Sequence, residues 1–397
     1  MHSDGDALHV NERNQLMRLA IFGAQGYALG AYMAIKEMYP ARKVECFLVS
    51  KMGINAPVLA GLPVRELDDY VLGMTGADKD GVDVLIATPE MVHSEIEEIL
   101  ENYGFHNHIC LTSERWAVMM DEYHARLGSF TPLKALPVGS VKPLVSVLAA
   151  KSHVDKALKR KYVFPEYMEP IQVGRDLCDK TVADITDNTG DNISKKNCNY
   201  CELTALYWIW KNRLCVGDSS DGNRFNDGEK AISIGMEEAS REYQYYGLAQ
   251  YRRMFELSED DLLRLCSNDV DALLPYPLPY DPDIHEHHKR YIKEPDWMAL
   301  NSALSELQPE YAKVFPDILK QRFLYNYNVI LAKKEVLEDY CKWLFPILAR
   351  VEELSEPKGS ERADRYIGYM GETLETLYFM HNADRLNVVH AGCKLCV

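Results

Sequence analysis

Positive charge is scarce in this chain. Its 397 residues carry 44 Lys and Arg against 60 Asp and Glu, a net charge of −16. That balance argues against broad nucleic-acid binding, which relies on Lys and Arg to neutralise phosphates, while leaving room for a local patch that grips one small anion. Long apolar runs are missing too. The most apolar stretch, LAIFGAQGYALGAYMAI from Leu19 to Ile35, is interrupted by three glycines and Gln25 and is shorter than the roughly 20 residues a membrane span requires. The start, MHSDGDALHVNERN, has Asp4 and Asp6 where a secretory signal carries positive charge. With ten cysteines in such a chain, a reducing cytoplasm is the expected setting.

Familiar metal frames are absent as well. Cys198/Cys201 and Cys393/Cys396 form two CxxC pairs, but they lie far apart, whereas zinc ribbons place their pairs about 15 to 20 residues apart. The run His285-Glu286-His287-His288 lacks the helical His-Glu-x-x-His spacing and reads as a solvated loop. In VGDSSDGNRFNDGEK, aligning Gly222 or Gly228 with the fixed glycine of a calcium loop leaves Gly217 or Phe225 where acids belong, so a surface loop is expected. There is no internal repeat and no low-complexity tract.

What is present is the composition of a folded protein, 47% hydrophobic and 26% charged, with enough length for two domains. From Arg18 the pattern runs strand, glycine turn, helix, strand; VDVLIAT and HICLT continue it around the helical SEIEEILENYG. Alternating strands and helices indicate an α/β fold with a parallel, Rossmann-like sheet over residues 1–130. GSFTPLKALPVGSVKP is rich in Pro, Gly and Ser and reads as a linker at 131–143. A second domain, 144–397, opens with the apolar strand PLVSVLAA.

The first turn carries Gly23, Gly26 and Gly30, candidates for bringing backbone N–H groups and a helix start to a nucleotide phosphate. Close strand–helix packing explains the same glycines equally well. A nicotinamide enzyme places Asp or Glu after the second strand, where this chain has Ser50 and Lys51. An NAD(P)-dependent oxidoreductase is therefore an alternative reading with one of its usual parts missing.

In DNTGDNISKKNCNYCELTALYWIWKN (187–212) a polar loop precedes a helix expected from Asn197 to Asn212, with Ser194 or Asn197 as cap. The helix is apolar around most of its circumference, so Glu202 on its buried side requires a partner and is a candidate site or anchor. YQYYGLAQYRRMF (243–255) reads as a strand delivering charge at its end. Arg252 and Arg253 would face opposite ways if that strand continues, one suited to a phosphate and the other to a structural pairing. Asp269 and Asp271 form a D-x-D, a weak candidate for manganese or magnesium against a diphosphate. Val336, Tyr340, Trp343, Ile347 and Val351 recur at helical spacing as core. Glu372 and Glu375 share another apolar helix, where either is a candidate buried carboxylate.

Four segments together, the 187–212 stretch, YYGLAQYRRMF, DALLP with YNVILAKKEVLEDYCKWLFPIL, and GYMGETLETLYF, carry a resemblance. From about Val145 to His381 the chain resembles bacterial capsular and exopolysaccharide-synthesis proteins long catalogued as a domain of unknown function and regarded as glycosyltransferases of the A-type nucleotide-sugar fold. The resemblance implies transfer of a sugar from a nucleotide-sugar donor to a glycan or lipid-linked glycan, with peripheral association at the inner membrane face. It implies catalytic candidates Asp191, Glu202 and Glu372, and donor-binding candidates Asn192, Ser194, Asn197, Tyr251, Arg252, Arg253 and Asn328. It also exposes departures. Ala249 and Gln250 stand where the family usually has Cys and His, and Glu372-Thr373 where it has Glu-Arg. Gln250 forms hydrogen bonds but is no base, which motivates the further alternative of a non-catalytic, donor-binding scaffold.

Overall fold

A computed structural model describes residues 18–159, 161–215 and 243–396 of the chain. The segment VGDSSDGNRFNDGEK lies outside the described residues. The first sheet comprises β1 (Arg18–Phe22), β2 (Val44–Val49), β3 (Val58–Leu59), β4 (Leu62–Glu66), β5 (Val82–Ile86) and β6 (His108–Cys110), in the order β3-β4-β2-β1-β5-β6. All neighbours are parallel except β3 and β4. Alternation along β1 sends Leu19 and Ile21 into one core and Ala20 and Phe22 into another. A sheet covered on both faces requires such near-continuous apolar strands. The apolar run from Leu19 therefore divides into a strand, a glycine turn and the helix Gly26–Met38. Among the described residues no helix is long and apolar enough to cross a membrane.

The second sheet uses β7 (Val145–Lys151), β8 (Met168–Gln172), β9 (Ile185–Thr186), β10 (Tyr245–Gln250), β11 (Arg253–Met254), β12 (Ala272–Pro275), β15 (Ile330–Lys333), β16 (Val388–Ala391) and β17 (Lys394–Leu395), while β13 (Leu278–Pro279) and β14 (Phe323–Leu324) pair separately. Its main path is β16-β12-β15-β10-β7-β8-β9. Strands β10, β7, β8 and β9 are parallel, and β15 runs against both β10 and β12. The helices Leu203–Ile209, Glu294–Leu307, Lys334–Leu354 and Tyr366–His381 contribute to the largest core. Val336, Tyr340, Trp343, Ile347 and Val351 are all buried there. The architecture is thus α/β, a Rossmann-like parallel sheet followed by a larger mixed sheet.

The Pro- and Gly-rich segment between the sheets is docked rather than loose. Leu133 is buried in the second domain's core and Pro132 bridges His390. The two domains also share side chains. Tyr276 and Leu278 enter the first domain's core, the Tyr276 hydroxyl donates to Asp121 Oδ1 at 2.5 Å, and Ala60 N–H donates to Asp281 Oδ2 at 2.9 Å.

Two expectations require correction. The single helix over 197–212 is broken: Asn197–Tyr200 ends at Cys201, whose φ is 52°, and Leu203–Ile209 then continues into a wider turn at Trp210–Leu214. The histidine run is a short helix, Ile284–His288, rather than a solvated loop. His288 is fully buried, and burial pushes its imidazole down to about 3. His287 stacks on Tyr280 with ring centroids 3.6 Å apart, a contact that helps draw the segment inward.

The three turn glycines divide by role. Gly23 has φ +126°, and a Cβ there would lie 2.6 Å from the Ala87 carbonyl oxygen. At Gly26 a Cβ would meet Leu278 at 3.1 Å, and at Gly30 it would meet the Trp116 ring at 2.4 Å. Close packing accounts for Gly26 and Gly30, while Gly23 also serves a backbone conformation that side-chain-bearing residues rarely adopt. Since the Trp116 ring is wedged in the core, Gly30→Ala is expected to destabilise the first domain by about 1–3 kcal/mol, measurable as a lower denaturation midpoint.

Candidate functional site

Parallel strands β7, β8 and β10 end together at Lys151, Gln172 and Gln250. In open α/β sheets the crevice beyond the carboxyl ends of the strands is where ligands bind. A cavity of about 590 Å³ opens here, walled by Ser152–Asp155, Asn197, Cys201, Glu202, Gln250, Tyr251 and Arg365. Its acidic floor arises from the break in the helix. The positive φ of Cys201, a conformation costing of order 1–3 kcal/mol for a side-chain-bearing residue, precedes Glu202 at the start of the next helix. Gly368 leaves room for the thiol, since a Cβ there would lie 3.1 Å from Cys201 Sγ.

Glu202 is fastened from two sides. Its Oε1 accepts from Gln250 Nε2 at 3.1 Å and from Asn328 Nδ2 at 2.9 Å. Gln250 Nε2 also donates to the Tyr327 carbonyl at 2.9 Å. Asn328 itself has φ 49°, which Asn tolerates better than most residues, and fits because Gly371 has no side chain: a Cβ there would lie 2.8 Å from Asn328 Oδ1. Burial raises the Glu202 carboxyl above its ordinary pKa, opposed by the Asn328 hydrogen bond and more weakly by Arg365 and Gln250. Arg365 is the one guanidinium among the described residues lining this cavity. It donates to Cys201 Sγ at 3.2 Å.

The sequence candidates separate accordingly. Glu202, Asn197 and Tyr251 line the cavity, and Asn328 supports it through Glu202. Asp191 is exposed, outside the cavity, and accepts from Tyr207 at 3.1 Å. Asn192 folds back on its own loop, accepting from Ser194 N–H. Ser194 is buried and donates to Asp187 Oδ1 at 2.5 Å. Asp187, also buried, accepts from Thr204 Oγ1 and from the N–H groups of Gly174 and Arg175. The polar loop is therefore largely a structural knot around Asp187.

The arginines diverge because β10 does not continue: Gln250 pairs antiparallel with Arg253 across a turn at Tyr251 and Arg252. Arg252 donates to the carbonyls of Lys156 and Ala157, bracing the cavity wall. Arg253 lies over the Tyr327 ring, 3.8 Å from its centroid, and donates to Gln250 Oε1 at 3.4 Å. Neither lines the cavity. The cation there is Arg365, signalled in sequence only by its place before an apolar helix.

Asp269 and Asp271 do not fit a diphosphate-linked metal. Both bind the Lys333 ammonium, Asp271 at 2.7 Å, and Lys333 pairs with Tyr245 at the opposite end of β10 from Gln250. Among the described residues no group of three or more His, Cys, Asp or Glu gathers to hold a metal ion, including the two CxxC pairs.

Glu372 lies behind Glu202 and faces a second cavity between the domains. It accepts from Tyr327 N–H at 2.9 Å and Asn326 Nδ2 at 3.3 Å. Burial, reinforced by the neighbouring Glu202, raises it to about 8. Glu375 is buried, neither carboxyl oxygen finding a hydrogen-bond partner among the described residues, and burial lifts it well above the ordinary carboxylate range. Where the resembling family carries Arg, Thr373 is fully buried and hydrogen-bonds His288 Nδ1 at 3.0 Å.

A family model described as "Domain of unknown function (DUF4422)" matches residues 153–219 and 238–383, more than half of the chain. The chain belongs to this family. Glu202, Gln250, Asn328, Arg365 and Glu372 all fall inside the match, while the Rossmann-like domain lies outside it. Among solved structures, the chain is similar to the apo form of the bifunctional glycosyltransferase WbbM, at 23% identity and a TM-score of 0.49, over 64% of this chain and 45% of that one. The chain thus spans less than half of that neighbour. No curated protein matches it.

The carboxyl of Glu372 yields a signed expectation. A carboxyl whose pKa rises on folding contributes stability that is full below about pH 4.5 and is lost as pH climbs through about 8. Glu372→Gln should therefore show a smaller fall in thermal midpoint between pH 5 and pH 8.5 than the wild type, read by scanning calorimetry.

Proposed function

We propose that the chain is a glycosyltransferase moving a sugar from a nucleotide-sugar donor to a hydroxyl of a capsular or exopolysaccharide glycan. The observation that carries this reading is Glu202, a half-buried carboxylate with raised proton affinity on the floor of a 590 Å³ cavity at the carboxyl ends of parallel strands, with Arg365 on its wall. The sequence resemblance supports the class of reaction, and the geometry around Glu202 supports the roles given below.

In an inverting displacement the acceptor oxygen bonds to the anomeric carbon as the bond from that carbon to the diphosphate oxygen breaks. The acceptor proton passes to Glu202, and the electron pair leaves with the nucleoside diphosphate. A carboxylate with raised proton affinity suits general-base work. Arg365 stabilises the departing diphosphate, where a planar guanidinium meets phosphate geometry and charge develops in the transition state. Gln250 and Asn328 hold the base, and Asn197 and Tyr251 shape the donor's bed. A lipid-linked acceptor would bring the protein to the inner face of a membrane as a peripheral partner.

One observation favours a second reading, a donor-binding scaffold without turnover: Gln250, in the place of a family histidine, ties its amide to the carboxylate that would act as base. Kinetics separate the two readings.

A thermal-shift screen of UDP-, GDP-, CMP- and dTDP-sugars, with and without manganese or magnesium, should find one donor that stabilises the fold, by about 2.7 kcal/mol at a hundredfold excess over Kd. Arg365→Ala should weaken that donor about tenfold or more, and silence from every donor would sink the transfer reading. Glu202→Gln should keep the donor shift while lowering turnover on a glycan acceptor about 100-fold or more. Wild-type turnover should rise with pH as Glu202 loses its proton, above the ordinary carboxylate range. A donor shift with no turnover on any acceptor would favour the scaffold.

A further inference from the structure

The cavity that Glu372 faces has a volume of about 300 Å³ and is built by both domains. The Rossmann-like domain contributes the turn Gly23–Tyr27 after β1 and Ala87–Pro89 after β5. Strand order reverses at β1, with β2 on one side and β5 on the other, so this is the switch-point crevice where such sheets hold ligands. Here the second domain closes it with Tyr280, Asn326, Tyr327, Tyr369 and Glu372 among others.

Two polar atoms on this lining lack partners. Among the described residues, Oδ1 of Asn326, which is only 6% exposed, finds no hydrogen-bond partner, and neither does Thr88 Oγ1 on the opposite domain. Buried polar atoms are ordinarily satisfied, and exceptions require an explanation such as a ligand or water. We infer that this interdomain cavity binds an uncharged, polyhydroxylated ring of monosaccharide size, with the Rossmann-like domain supplying half of the site.

The lining chemistry selects that class. Among the described residues no Lys or Arg lines the cavity; Arg290 reaches only its rim, donating to Gln25 Oε1 at 3.2 Å, so the lining itself offers a phosphate no cation. Asn326 Oδ1 demands a donor, Thr88 both gives and accepts, and a Glu372 carboxyl at about 8 is largely protonated at neutral pH. Hydroxyl groups meet all three demands because each donates and accepts. Of the rings on the lining, Tyr280 stacks on His287 and Tyr291 on Tyr369 at 4.4 Å, so each has one face already taken and fewer remain for a flat base. Only the ligand's role as acceptor sugar rests on the transfer reading. Its binding does not.

Saturation-transfer NMR on the full chain tests this with methyl β-D-galactopyranoside, methyl β-D-glucopyranoside and methyl N-acetyl-β-D-glucosaminide, beside uridine and NAD. Transfer to at least one glycoside is expected, and it should persist with saturating UDP. Ala24→Trp, which fills the cavity from the first domain, should abolish it. The milder Thr88→Val should reduce it about fivefold, the worth of one hydrogen bond, and covers the case in which the tryptophan variant fails to fold. Three outcomes overturn the inference: no transfer to any glycoside, transfer that UDP removes and Thr88→Val leaves intact, or transfer to uridine or NAD that Thr88→Val weakens. Failure of the donor screen would leave these results standing, so the two readings fail separately.

Discussion

A single carboxylate oxygen organises the second domain's site. Glu202 Oε1 receives one amide from the end of β10 and another from Asn328, just before β15. Taking a carboxylate out of water is costly unless hydrogen bonds replace its hydration. The surrounding backbone is bent to supply them: Cys201, Tyr327 and Asn328 all have positive φ, and Gly368 and Gly371 clear space on the facing helix. Strain in several adjoining residues around one acid suggests that its placement matters more than local backbone comfort.

The fold was largely legible because period and punctuation are local properties. Alternation in β1, the glycine turn and the 21-residue helix from Lys334 to Leu354 follow from neighbours within a few positions. Glu202 was legible for a related reason, as an acid on an apolar helix. Its helix, however, was expected to be continuous, and nothing in NCNYCEL betrays the positive φ at Cys201, because the glycines that permit it lie more than 160 residues away. Arg252 and Arg253 read as ligand residues by charge at a strand end and by the family resemblance. Their actual partners, the carbonyls of Lys156 and Ala157 for one and the Tyr327 ring for the other, are tertiary neighbours that a linear reading does not contain. Asp269 and Asp271 misled similarly, since Lys333 answers both.

Three glutamates, at 202, 372 and 375, influence one another's protonation. Mutual repulsion and burial both favour proton retention. The outermost, Glu202, has the amide donors that stabilise a carboxylate; the innermost, Glu375, has none among the described residues. Polarity is therefore graded through the wall between the cavities, with the anionic form favoured towards the larger one.

The contact of Tyr276 and Leu278 with the first domain's core has a consequence for how this chain can be divided. A boundary drawn through the Pro- and Gly-rich segment would strip Leu133 and Pro132 from the second sheet and leave Leu278 facing water over a helix whose Gly26 was shaped to receive it. The segment that reads as a hinge is a seam, and the two halves pack against each other through it.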